Sequence, residues 1–227
     1  MGEFARIASE FKKLEKYGFP RYTHPEVAIA YSFDSSVDSH PNGPSNTTLQ
    51  YFKYPYTEQV EGAFEPFFRD NIDTDFINIG HADLSRYKLV VVPADYVMDT
   101  TGAKAIRDYV SNGGTVVMTA FSAKVDEHGQ WFDTPLPGRL SDVFGLRTSQ
   151  FYQPEQLPEF ELGKVTSKAS IRFYEVLEPH TAHTLASFSN LPGHPPAITL
   201  NKFGKGQAIY LAVPGQASMV GPLVRSL

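Results

Sequence analysis

Apolar residues in this chain come in short unbroken runs separated by amphipathic stretches. Leu89-Val90-Val91-Val92 is an apolar run without alternation. Pro93, with a fixed φ and no N–H for a ladder, ends it. Residues 101–110 follow with Ala105, Ile106, Tyr109 and Val110 at helical spacing, and Asn112-Gly113-Gly114 supplies a left-handed stop. Thr115-Val116-Val117-Met118-Thr119 is a second buried strand. Two such strands joined by one helix predict a right-handed βαβ unit in a parallel sheet, and with it an α/β domain.

The same pattern orders the flanks. Phe4, Ile7, Ala8, Phe11 and Leu14 share one helical face, with Gly18 as a stop and Pro20 behind it. A parallel sheet rarely opens with a helix, so this one reads as a docking helix or the tail of something upstream. Residues 26–33 form the first strand. Residues 34–48, rich in Ser, Asn, Pro and Gly, form a loop. Residues 49–68 are aromatic and helical in their later part, and 74–79 are the second strand. Strands 27–32, 74–79, 89–92 and 115–118 should be parallel neighbours, with 103–110 packed on a face. Further on, 139–144 is a short helix closed by Gly145, 150–161 is irregular, and 171–176 and 184–188 are strands. Residues 197–211 form a β-hairpin turning at 203–206, and 218 to 227 begins a helix that the chain end cuts. There is no internal repeat.

Composition narrows the function. Of 227 residues 41% are hydrophobic, enough for a substantial core, and 20 basic against 25 acidic residues give a net charge of −5 with no basic block. That argues against nucleic acid and anionic membrane as partners, because both require clustered Lys and Arg. No cysteine is present, which removes disulfides, thiolate metal sites and cysteine nucleophiles. No run approaches the ~18 apolar residues of a membrane span, and the N-terminus has no apolar signal core. A cytoplasmic location is expected.

An ordered set of segments carries a resemblance: D-L-S-R-Y-K-L-V-V-V-P (83–93), R-D-Y-V-S-N-G-G-T-V-V-M-T (107–119), V-D-E-H-G (125–129), L-P-G-R-L-S-D-V-F-G-L-R (136–147) and N-K-F-G-K-G-Q-A-I-Y-L (201–211). Together they resemble the middle, trimerisation domain of glycoside hydrolase family 42 β-galactosidases, from about Val27 onward. The resemblance implies a flavodoxin-like, class I glutamine amidotransferase-like three-layer sandwich, mostly parallel, with a C-terminal β-hairpin. It implies that residues 1–18 are a linking helix from the end of a catalytic barrel and that 19–227 are the trimerisation domain. It also implies a homotrimer of the intact enzyme, with galactoside bound through a barrel these residues do not encode. The family's two catalytic glutamates belong to that barrel, so no catalytic residue carries over.

The candidate chemistry is weighed against plain structure. Amidotransferases place a cysteine in the turn after the strand that here is 115–119, and Phe121 occupies that position. Phenylalanine cannot attack, and Ser122 lacks the G-x-S-x-G spacing of a nucleophile elbow. After the first strand, Ser32, Ser35 and Ser36 offer hydroxyls to a flavin phosphate, but Asp34 and Asp38 repel an anion and no glycine is present. Asp34, Asp38 and His40 fit no established metal loop. His81/Asp83 and Glu127/His128 read as solvated turns, and 202–206 joins two strands rather than opening a helix. No catalytic, cofactor or metal residue is therefore assigned. Trp131, Phe132, Phe151 and Tyr152, by contrast, lie in irregular stretches where aromatic rings stack on sugars or fill subunit contacts. Trp131, Phe132 and Arg139 are the candidate interface. The alternative is a free-standing amidotransferase-like domain binding a small sugar or polyol, and a third reading is a degenerate flavodoxin-like redox module.

Overall fold

The unalternated runs become the centre of a seven-stranded sheet. The computed structural model describes residues 2–18, 23–38 and 55–227. Strands β1 (Val27–Ala30), β2 (Thr74–Ile77), β3 (Leu89–Val92) and β4 (Thr115–Thr119) lie parallel in the order β2-β1-β3-β4. Beyond β4 come β11 (Gly206–Leu211), parallel to it, then β10 (Pro196–Phe203) and β9 (His183–Ser187), each antiparallel to its neighbour. All four residues of β1, the last three of β3 and the last four of β4 are buried. A strand buried at consecutive positions is covered on both faces, as a parallel sheet requires. Each Val or Ile so buried contributes about 1.5–3 kcal/mol.

The helices fit the same logic. On α4 (Thr100–Ser111), Ala103, Ile106, Tyr109 and Val110 face the core, and the Asp99 side chain caps the N-terminus by accepting from the Gly102 N–H at 2.6 Å. The Tyr109 hydroxyl ties the helix to the sheet through the carbonyls of Tyr87 and Thr115. Gly206 opens β11 where a Cβ would sit 2.2 Å from the Gly114 carbonyl oxygen and 2.3 Å from that of Val110, so only glycine fits. On α3 (Tyr56–Arg69), Tyr56, Val60, Ala63 and Phe67 are buried, and Gly62 admits the Gly215 carbonyl just before α6 (Ala217–Val224). In contrast, α1 (Gly2–Leu14) buries nothing: Phe4 is 80% and Phe11 65% exposed.

Several expectations need correcting. The stretch predicted as a loop begins with a short helix, α2 (Phe33–Asp38), because the Ser32 Oγ accepts the Ser35 N–H and starts a turn. The rest of that loop, with His40, lies outside the described residues, as do the first residues of the aromatic stretch. After α5 (Ser141–Phe144), stopped by Gly145 in the left-handed conformation, residues 150–161 are not irregular throughout. There β5 (Leu146–Tyr152) pairs with β8 (Tyr174–Pro179), three residues later than the predicted strand, and β6 (Glu159–Leu162) pairs with β7 (Val165–Lys168). The last helix is Ala217–Val224, ending three residues before Leu227. Among the described residues, no helix is long and apolar enough to cross a membrane.

Candidate functional site

The chain turns sharply where β3 and β4 end. Ala94, Phe121 and Ala123 all have positive φ (47°, 71° and 53°), a conformation that costs a residue with a Cβ on the order of 1 kcal/mol or more. Short cross-links hold the two turns together. The Ala94 N–H donates to Thr119 Oγ1 at 3.0 Å, the Ala123 N–H donates to the Asp95 carbonyl at 2.8 Å, and Ser122 Oγ accepts from the Asp95 N–H and donates to the Val92 carbonyl. Phe121 therefore sits on a genuine elbow. Its ring is buried and stacks on Phe173 with centroids 4.2 Å apart. The neighbouring Ser122 hydroxyl is committed to main-chain groups and cannot serve as a nucleophile.

Beneath the elbow lies a buried ion pair that sequence reading missed. Lys124 Nζ is 2.9 Å from Glu175 Oε1, and their side chains are 5% and 3% exposed. Glu175 also accepts the Phe121 N–H at 2.9 Å and the Tyr210 hydroxyl at 2.7 Å, and Lys124 reaches Thr148 Oγ1 at 3.3 Å. Burial pushes the Lys124 ammonium below its ordinary value against the upward pull of Glu175, and burial together with that carboxylate pushes the Tyr210 phenol well up. Every bond is between groups far apart in the chain. The available signal was a lone charge set among apolar neighbours, in Ala123-Lys124-Val125 and Tyr174-Glu175-Val176.

This pair floors a cavity of about 410 Å³ whose walls include Trp131, Leu136, Phe151 and Tyr152, with Ser149 and Gln150 between them. Three of the aromatic residues singled out from sequence thus share one mouth, with Trp131 48%, Phe151 48% and Tyr152 47% exposed. The fourth behaves differently. Phe132 lies under the Arg139 guanidinium at 5.0 Å, and Arg139 donates to the Met98 carbonyl and to Glu127. Phe132 and Arg139 therefore brace the 125–139 loop, while Trp131, perpendicular to Tyr96 at 6.2 Å, stands at its surface.

The remaining candidates scatter. Ser32 and Ser35 turn toward the buried Asp95 carboxylate, Ser35 Oγ donating at 2.7 Å, so these hydroxyls are not presented to a phosphate. Burial raises Asp95 to about 6, opposed by those two hydrogen bonds. Asp83 accepts from the Ser85 N–H and hydroxyl in an exposed turn, and Glu127 is held by Arg139. Among the described residues no group of three or more His, Asp or Glu is placed to hold a metal ion.

Comparison with known proteins places this arrangement. A family model described as the beta-galactosidase trimerisation domain matches residues 25–227. The chain is 27% identical over 230 residues to the beta-galactosidase BgaB of a Geobacillus strain, covering 99% of this chain and 33% of that protein. It is 31% identical over 160 residues to beta-galactosidase LacA of Lactobacillus acidophilus, covering 69% and 24%. Among solved structures, the beta-galactosidase from Bacillus circulans sp. alkalophilus matches with a TM-score of 0.83 at 26% identity, covering 97% of this chain and 33% of that one. A catalytic mutant of Gan42B, a family 42 beta-galactosidase from G. stearothermophilus, matches with a TM-score of 0.80 at 25% identity over 98% and 32%. The chain spans about a quarter to a third of the length of these relatives. With residues 25–227 matched across the sheet, the elbow and the aromatic mouth, the chain belongs to the beta-galactosidase trimerisation domain family.

Proposed function

We propose that this chain is the non-catalytic scaffold that holds the barrels of a family 42 β-galactosidase in a homotrimer and helps wall their active sites. The observation that carries the reading is the family match over the whole sheet, in a chain that spans a third of its relatives. The local chemistry agrees. Glycoside cleavage by a retaining enzyme needs two carboxyl groups about 5–5.5 Å apart, and the cavity here has one, Glu175, locked to Lys124. The elbow carries Phe121 in place of a nucleophile. We assign the fold to the flavodoxin-like, class I amidotransferase-like three-layer group, on the strength of the β2-β1-β3-β4-β11 order and an antiparallel β10–β11 extension.

Residues 1–18 act as a linking helix and 19–227 as the scaffold proper. The uncovered apolar stripe of α1 supports this, since Phe4, Ile7, Phe11 and Leu14 need a partner surface. The 125–139 loop makes the contact between copies: Trp131 reaches outward while Phe132 and Arg139 hold the loop in shape. A ring of heterologous contacts repeats each patch three times, so one charge weakens all three. Light scattering on the intact enzyme should show a lower mass for Trp131→Glu, and an unchanged trimer would remove this loop from the interface. The purified chain alone should turn over no chromogenic galactoside. Turnover that persists through purification and is lost on mutating one of its own acidic residues would overturn the scaffold reading.

A further inference from the structure

Asp95 is a buried carboxylate whose bonds join two separate parts of the chain. Its main chain belongs to the elbow, where its N–H donates to Ser122 Oγ at 3.2 Å and its carbonyl accepts the Ala123 N–H at 2.8 Å. Its side chain holds α2. Oδ1 accepts the hydroxyl of Ser35 at 2.7 Å, and the same Ser35 oxygen, fully buried, takes the Val97 N–H at 3.0 Å. Ser32, just ahead of α2, accepts the Ser35 N–H and donates its own N–H to the Tyr56 hydroxyl at 2.8 Å. Through Asp95 and Ser35 the short helix is fastened to the end of β3.

The charges that face this carboxylate are mostly of its own sign. Asp34 on α2 and Asp99 at the start of α4 both push against it, and Asp38 adds a second buried acid to α2. Glu127 of the 125–139 loop and His81 of the turn after β2 share with Asp95 a cleft of about 120 Å³, where Glu127 is already held by Arg139 at 3.1 Å. From α3 the facing group is the Tyr56 phenol. When ionised, Asp95 has the hydroxyls of Ser35 and Ser32 in place of water. A proton removes that cost and leaves the Ser35 bond standing, since a neutral carboxyl still accepts through its carbonyl oxygen. Burial raises the carboxyl to about 6 against those two hydrogen bonds.

We propose that Asp95 is a proton-operated latch on α2. Protonated, it seats the helix against the end of β3; ionised, it favours an opened helix in which water reaches the carboxylate. Little apolar packing opposes this movement, because the six-residue helix buries only Ser35 and Asp38. The helix also carries Phe33, 69% exposed, which lines an apolar hollow of about 520 Å³ with Tyr31, Val60 and Phe76. Opening α2 therefore reshapes an apolar surface at the β2 edge of the sheet. The latch depends on Asp95 and Ser35 and not on the trimerising role.

Raised in the closed helix and ordinary, at 3.8, once exposed, the carboxyl makes closure strongest below 3.8 and weaker as pH rises through about 6. Hydrogen exchange of the 227-residue protein, corrected for the intrinsic pH dependence of exchange, reads this at the Ser35 and Val97 amides. Both should open more often than the Val117 amide of β4, with little dependence on dilute urea. They should open about tenfold more often near pH 7.5 than near pH 5, and Asp95→Asn should flatten that response. Exchange at Ser35 and Val97 only in step with Val117 would mean that α2 does not move separately, and would overturn the latch. So would a flat response in the unaltered protein, or one that survives Asp95→Asn, which would assign the effect to His81. If Asp95→Asn fails to fold by circular dichroism, carbon-13 titration of the Asp95 carboxyl in the unaltered protein decides instead. A midpoint near 6 is expected, and one below about 4.5 would overturn the proposal.

Discussion

Replacing Glu175 by Gln removes one charge from the floor of the cavity, and with it the oxygen that accepts from the Tyr210 hydroxyl and from Lys124. The amide has the carboxylate's shape and can still accept the Phe121 N–H, so no cavity is created and the elbow keeps its tether. What changes is Lys124, left fully buried without a counter-charge. Breaking one side of a buried pair typically costs about 3–5 kcal/mol. An upper bound follows independently, because the lysine can escape by giving up its proton. With an ordinary value of 10.5, deprotonation at pH 7 costs ~4.8 kcal/mol, and at pH 9.5 only ~1.4 kcal/mol. Burial lowers the Lys124 value in the folded state, and losing Glu175 lowers it further. The sign is therefore fixed: stability is greatest above the unfolded value, 10.5, and is lost as pH falls through the depressed folded value. The penalty of Glu175→Gln should be ~3–5 kcal/mol at pH 7 and should shrink below ~1.5 kcal/mol at pH 9.5.

Urea unfolding, followed by circular dichroism and Trp131 emission, measures both. At neutral pH the melting temperature should fall by roughly 6–20 °C, at ~2–4 °C per kcal/mol for a chain of this size. Adding Lys124→Met removes the stranded charge and should recover part of the loss, so the two changes are far from additive. A penalty below ~1 kcal/mol, or one independent of pH, would refute the reasoning that Lys124 is charged, buried and has Glu175 as its counter-charge.

Other outcomes follow from the same geometry. Asp95 is raised from 3.8 to about 6, so its contribution is fully present below 3.8 and lost as pH rises through about 6. Measured against Asp95→Asn, wild-type stability should fall by ~3 kcal/mol across that window, and a flat difference would contradict the buried acid. Gly206→Ala should cost ~2–3 kcal/mol or more by urea titration, because its Cβ meets two main-chain carbonyl oxygens. At Phe121 the usual ranking should invert: Phe121→Gly is more stable than Phe121→Ala by ~1 kcal/mol, since φ is +71°. Both lose the stacked ring, and the reverse order would disprove the left-handed elbow.

The parts of the fold legible in sequence are those whose burial is set by the sheet itself. Val90–Val92 and Val116–Met118 are buried at every position, so their apolar character is continuous and needs no partner to be recognised. β5 gives no such signal. Of its seven residues only Leu146 and Thr148 are buried, and its last four are exposed because it pairs with β8 in a separate two-stranded sheet over the cavity. β6 and β7 are shorter still, with one buried residue each, Phe160 and Ser167. Residues 33–38 read as loop because their composition is polar, yet a single serine cap sufficed to start a turn of helix.

The site divides along the same line. Trp131, Phe151 and Tyr152 could be singled out because each is a large aromatic residue among polar or proline-rich neighbours, although Phe151 and Tyr152 lie on β5. Lys124 and Glu175 could not be paired, since only the crossing of the β4 turn by β8 brings them together, 51 residues apart. That crossing also explains how the strained turn is held. The Phe121 N–H, in a strained conformation, needs an acceptor, and Glu175 supplies one. Glu175 needs a cation, and Lys124, three residues past the elbow, is the residue the turn delivers to it. Each group satisfies the next, so the turn, the charge pair and the β8 strand are kept as one unit. A phenylalanine at the elbow then costs the chain little, because its ring stacks on Phe173 and closes the core beneath the cavity. The strained turn here serves packing, and the space above it is neutral at its floor and aromatic at its walls.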